Sequence, residues 1–453
     1  MPENIDPGTT PDDPEALGDQ SVEHGDEPAR PSGFLAALGA ATAAREELTA
    51  ALRRMSAHVA ACIPQIEITG FTKIGGPLTK RISLSADGEL DSDGGACVMS
   101  AGLARRLTFK TLSEFAEHIS SLDSTRAIAL GAMRPDLPKA VEVATKFQLE
   151  KLRTDALSDL IARTREYLDY RPGLPSLALI DFDTKGMPER VRDRIEEIGG
   201  PIAAIKSVLP ELASVGRVGR RSTSACIRRE DTGEVMAGSA GRHVYVLVQN
   251  GADIERFLLT LHERCWLNGL GWLMVGAGGQ LLDRSLVDRM VYGPERLVFE
   301  GAPVLIKPLI QDQKRRRARA IEGPPLDTLA ACPPLRIAER AQLDEMRAKE
   351  VHRLVPERAK ARSEFVAENA SRIAERTGTT LEAARRTVER QIEGVLLSDV
   401  VLPFDDGEFQ GCTVDDVLAD PERFDGATLS DPLEGEEYGR CKAKIMRRAD
   451  GSL

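Results

Sequence analysis

Residues 176–183 read SLALIDFD, a short apolar run closed by two acids and followed by the turn residues TKGMP. A run of this length with that boundary suits a buried strand and is too short for a buried helix. Side chains two apart on a strand share a face, so Asp181 and Asp183 are expected side by side. Like charges so placed repel unless a cation or a proton lies between them. Any fold for this chain has to bury the run and still answer the two charges at its end.

The segments around that strand set an order. QIEITGFTKIGGPLTKRISLSADGEL alternates apolar stretches with Gly-Pro and Asp-Gly turns and reads as hairpin strands, TLSEFAEHISSL as a helix and AIALGAM as a short buried strand, while PKAVEVATKFQLEKL suits strand or helix. From Thr154 the pattern predicts a helix around DALSDLIARTREYLDY, the strand SLALIDFD and a helix around PERVRDRIEEIGG. RSTSACIRR, a DTGE turn, the strand RHVYVLVQ, the helix DIERFLLTLHERCWLNGL and a strand-rich stretch through LLDRSLVDRMVYGPERLVFEGAPV follow. Strand, helix, strand, strand, helix, strand is the order of a ferredoxin-like or RNA-recognition-type sheet. The expected fold class is therefore α+β: an RNA-recognition-like antiparallel sheet with helices as the core, a small N-terminal α/β unit packed on it, and a C-terminal helical region.

Length and composition divide the rest. At 453 residues the chain exceeds one ordinary core. Expected boundaries are an acidic, disordered tail at 1–32, a helix and small α/β unit at 33–150, the core at 151–312, a basic, proline-marked linker at 313–335, helices at 336–397 and an acidic segment at 398–453. Residues 1–30 hold nine acids and one arginine, and residues 401–453 hold thirteen acids and six bases; the ends thus carry −8 and −7 of the net −11, leaving the middle at +4. Acidic ends around a mildly basic middle leave room for a local phosphate-binding surface. No apolar run reaches the roughly 18–20 residues of a membrane span, and an acidic start does not suit a secretory signal, so a cytoplasmic protein with no membrane partner is expected. Seven cysteines stand singly without CxxC spacing, which argues against a zinc ribbon and a disulfide framework.

Three places could carry chemistry. Carboxylates at i and i+2 offer the oxygen ligands that Mg²⁺ or Mn²⁺ prefer, although a polar strand end with solvated acids accounts for the same string. His243 follows a small-residue turn, GSAG, whose backbone could approach a triphosphate; a satisfied strand-end histidine is the plainer reading, and Arg242 beside it could simply be solvated. LLDRSLVDRMVYGPERLVFEG adds Asp283, Asp288, Arg296 and Glu300, where another carboxylate could complete a metal site and Arg296 could meet a phosphate, or where ordinary ion pairs lace a turn. VGAGGQ lacks the residues of a P-loop and reads as a turn. KRRRAR at 314–319 could touch nucleic-acid backbone or be a solvated linker.

Taken in order, an apolar strand ending DFD, then GRHVYV, then SLVDRMV and ERLVF resemble the three-motif signature of archaeo-eukaryotic-type primases and primase-polymerases. The resemblance covers about residues 66–310 and is nearest the branch found in replication proteins of plasmids, phages and integrated elements. It implies a DNA-templated nucleotidyltransferase with Asp181, Asp183 and Asp288 as catalytic metal ligands, Asp283 being the alternate third acid, and Mg²⁺ or Mn²⁺ as cofactor. It implies too that His243 contacts the phosphates of the incoming nucleotide, with Ser239, Arg242 and Arg296 nearby. The family's histidine motif often places a serine two residues before the histidine, and here that position is Gly241. Implied partners are a single-stranded DNA template, nucleoside triphosphates and a helicase or ATPase module, for which no Walker sequence occurs in this chain. A metal-dependent nuclease using the same acids, and a non-catalytic replication module retaining the fold, are the competing readings.

Overall fold

The computed structural model describes residues 65–146, 148, 149, 159–182, 184–238, 241–393, 398, 400–431 and 443–446. The acidic leader, the helix expected near 34–61, Asp183 and Ser239 lie outside the described residues. What is described falls in one unit, Pro64–Leu453, and is mixed α+β with several small sheets.

The first sheet is assembled from β1 (Ile66–Lys73), β4 (Ala101–Phe109), β5 (Arg126–Ala129), β6 (Ala140–Ala144) and β7 (Leu160–Ala162), in the order β5-β1-β4-β6-β7. Only β6 and β7 run parallel. A small hairpin of β2 (Arg81–Leu84) and β3 (Leu90–Asp93) pairs with residues 304–305. Helix α1 (Leu112–Ser120) begins on Thr111, whose hydroxyl accepts from the Glu114 amide, and buries Leu112, Phe115, Ala116 and Ile119 on one face.

The second sheet holds the DFD strand. Its strands are β8 (Ser176–Asp181), β9 (Arg217–Arg221), β10 (Arg242–Val248) and β13 (Arg319–Ile321), all antiparallel in the order β8-β10-β9-β13. Between β8 and β9 run α2 (Glu189–Ile198) and α3 (Pro201–Val208), and α4 (Ile254–Leu267) follows β10. The next strands, β11 (Gly271–Val275) and β12 (Leu281–Ser285), form their own hairpin. Just past it the chain returns to β8, where Phe182 and Val287 make an antiparallel bridge. Leu177, Ile180, Tyr245, Val246, Phe257 and Leu261 lie in one apolar cluster with Phe115 and Ile119, so α1 and this sheet share a core.

Two sequence expectations are corrected. DALSDLIARTREYLDY is no helix over its described part: Leu160–Ala162 and Leu168–Asp169 are strands, with Ile161 and Leu168 fully buried, because the first adds an edge to the first sheet and the second pairs with residues 132–133. Nor is the basic, proline-marked segment 313–335 a mere linker. Arg316 is buried, β13 closes the second sheet, and Leu326, Thr328 and Cys332 are buried too. The basic run was misleading because it mixes exposed cations with one that faces inward.

Beyond it lie α5 (Ile337–Arg353), α6 (Val355–Thr377) and α7 (Leu381–Ile392), charged helices in which α6 and α7 pack together. Among the described residues no helix is long and apolar enough to cross a membrane.

Candidate active site

Register, more than sequence, builds the site. Asp181 is the last residue of β8 and lies opposite His243, and His243 lies opposite Arg220 on β9. The Phe182–Val287 bridge sets Asp288 opposite Asp181 on the outer side, and the Asp288 amide donates to the Asp181 carbonyl at 2.9 Å. Residues directly opposite on neighbouring strands share a face. Asp288, Asp181, His243 and Arg220 therefore form one row across the end of the sheet. Within it the Asp181 side chain is 34 % exposed and His243 only 10 %.

Beneath the row sits an acid whose role the sequence did not reveal. Glu300 has no exposed surface, and its Oε1 lies 2.6 Å from His243 Nδ1 and accepts from the Tyr245 hydroxyl at 2.5 Å. Arg220 and Arg316 nitrogens stand 3.0 and 3.5 Å from Oε2, at ion-pair distance but without hydrogen-bond alignment. Arg316 also donates to the carbonyls of Ser222 and Glu300, while Arg220 donates to the Ile119 carbonyl at the end of α1. The available signals were the acid closing the apolar LVFEG, and Tyr245 two residues after His243 on the same face; neither points to a partner.

Charge balance follows from this packing. Burial opposes charging the His243 ring, yet Glu300 and Asp181 outweigh it and raise its pKa. Burial likewise favours neutral Glu300, but His243, Arg220 and Arg316 together hold it below the ordinary glutamate value. The second face of the imidazole, Nε2, lies 3.6 Å from Asp181 Oδ1, toward the open edge. Burial and neighbouring Arg220 lower Arg316 to about 10.

Other expected site residues are placed elsewhere. Arg242 alternates to the face opposite His243 and sits across from Arg221; burial and that neighbour lower its pKa. Arg296 is exposed and donates to the Met290 carbonyl, in the turn that Asp288 opens by accepting from the Met290 amide. Asp283, the alternate third acid, belongs to a different cluster: it accepts from Trp266 Nε1 at 2.7 Å and Arg347 at 2.7 Å, with His262 Nε2 at 3.1 Å. Gly241 has a steric cause, for a Cβ there would lie 2.3 Å from the Ser222 hydroxyl. Ser222, the residue after β9, fills the space that a side chain at 241 would need.

By donor type Asp181 and Asp288, opposed across the Phe182–Val287 bridge, offer the oxygen ligands that a hard divalent cation takes. Among the described residues no three His, Cys, Asp or Glu side chains gather as a metal set, Asp183 being outside them. Comparison with protein-family models, curated proteins and solved structures finds no match.

Proposed function

We propose that this chain is a template-directed nucleotidyltransferase of the primase-polymerase kind, extending a strand paired to single-stranded DNA. The observation that carries this reading is the row Asp288–Asp181–His243, with His243 braced from below by Glu300. The central order β8-β10-β9, first strand beside third beside second, supports the RNA-recognition-like description of the core. Assignment to the replication of a mobile element rests on the sequence resemblance.

In this reading Asp181 and Asp288, with Asp183, would hold Mg²⁺ or Mn²⁺. Held there, the cation would supply acidification of the attacking 3′-hydroxyl and charge stabilisation for the departing pyrophosphate. The chain's own contribution is placement. Glu300 accepts from Nδ1–H and fixes the ring with Nε2 toward the open edge, from which a protonated Nε2 can donate to a triphosphate oxygen. Tyr245 holds the other side of the Glu300 oxygen, and Arg220 and Arg316 keep the carboxylate ionised.

The experiment is to supply the protein with single-stranded templates of differing base, labelled nucleoside triphosphates and Mg²⁺ or Mn²⁺. Incorporation that follows template complementarity is expected. Template degradation without incorporation would instead identify a nuclease, and neither activity would leave the non-catalytic module.

A further inference from the structure

Burial alternates along the outer strands of the second sheet. On β9, Arg217, Gly219 and Arg221 are half-exposed while Val218 and Arg220 are buried; on β13, Arg319 and Ile321 are exposed while Ala320 packs inward. The buried set lies on the side of α1, which packs against both strands. The opposite side is open there. Register sets Arg217 beside Ile321, Gly219 beside Arg319, and Arg221 beside Arg242, with exposed Arg317 just before β13. No acid occupies these positions, and a Cβ added at Gly219 would meet nothing within 4 Å. Like charges directly opposed across strands cost stability, and Arg221 opposite Arg242 is such a pair.

This strip ends at Arg221 and Arg242, each one residue from the Arg220–His243 pair and at the same end of the sheet as Asp181. In a chain of net charge −11 it is a local exception. We infer that the flat strip formed by Arg217, Gly219, Arg221, Arg242 and Arg319, with Arg317, carries the phosphate backbone of single-stranded DNA toward the Asp181 end of the sheet. The choice of DNA among polyanions rests on the proposed polymerase reading; the basic strip itself does not.

Gly219 provides a test in which charge is separable from shape. Binding of a labelled single-stranded oligonucleotide to the full chain is measured across a salt series without nucleotides or divalent metal, for wild type, Gly219→Glu, Gly219→Lys and the double variant Arg317→Ala/Arg319→Ala, with circular dichroism confirming that each is folded. Gly219→Glu should weaken binding and Gly219→Lys should tighten it. The double variant should reduce the slope of log affinity against log salt by about 1.4, at about 0.7 per phosphate contact on a single strand. Unchanged binding, or both Gly219 variants moving it in the same direction, would overturn the inference. Charge-dependent binding in a protein that incorporates no nucleotide would keep the strip and remove the polymerase reading; template-directed incorporation with charge-blind binding would do the reverse.

Discussion

Glu300 is enclosed by His243, Tyr245, Arg220 and Arg316, and two of those neighbours are arginines that are themselves buried. Glu300→Gln keeps the shape and removes the charge, leaving both guanidinium groups uncompensated, so a loss of about 3–5 kcal/mol is expected in urea unfolding. A loss below the scatter of surface substitutions would mean that the arginines find other partners. Position 241 gives a second prediction. Gly241→Ser pushes its Cβ against Ser222 and should cost roughly 1–3 kcal/mol, most of it recovered when Ser222→Gly is added; simple additivity of the two changes would contradict the clash. At this scale the sequence exposed Asp181 and His243 because they close and open strands of recognisable pattern. It hid Glu300 because that partner lies 57 residues from His243, and nothing local marks which buried acid will meet which histidine.

At the joint between α4, β12 and α5, Asp283 holds three elements together through Trp266, His262 and Arg347. Burial would raise its pKa, but His262 and Arg347 outweigh burial and hold it below the ordinary aspartate value. A depressed folded-state value means that its stabilisation is present above the unfolded pKa of about 3.9 and is lost as pH falls through the folded value. Acid unfolding followed by Trp fluorescence should therefore show α5 loosening below about pH 4, and Asp283→Asn should flatten that limb; an identical acid limb in the variant would refute the assignment. Leu343, the buried residue of α5, packs with Trp266, Leu273 and Leu354, and Leu343→Ala should cost about 2–5 kcal/mol. Helices α5 to α7 were legible because long charged runs without glycine or β-rich alternation have few other options. Residues 160–169 were not, since the spacing of their apolar residues suits a helix when read alone, and only pairing of 160–162 with β6 and of 168–169 with residues 132–133 makes strands of them. Likewise the 313–335 segment hides an edge strand behind a basic run whose exposure differs residue by residue.

Across the whole molecule, acidic ends and a mildly basic middle were visible in the sequence, but the gathering of arginines on one side of β9 and β13 was not. It needs residues 217, 221, 242 and 319 to meet by register, which no linear pattern states. Under the proposed polymerase reading, catalysis belongs to the end of the second sheet, where Asp181 and Asp288 oppose each other beside His243, while Asp283 is a structural joint. Template-directed incorporation of labelled nucleotides, compared for wild type, Asp181→Ala, Asp288→Ala and Asp283→Asn near neutral pH, tests that claim most directly. Complementary incorporation is expected of wild type and Asp283→Asn, with its loss in both alanine variants; incorporation undiminished by Asp181→Ala would rule out a catalytic role for this site.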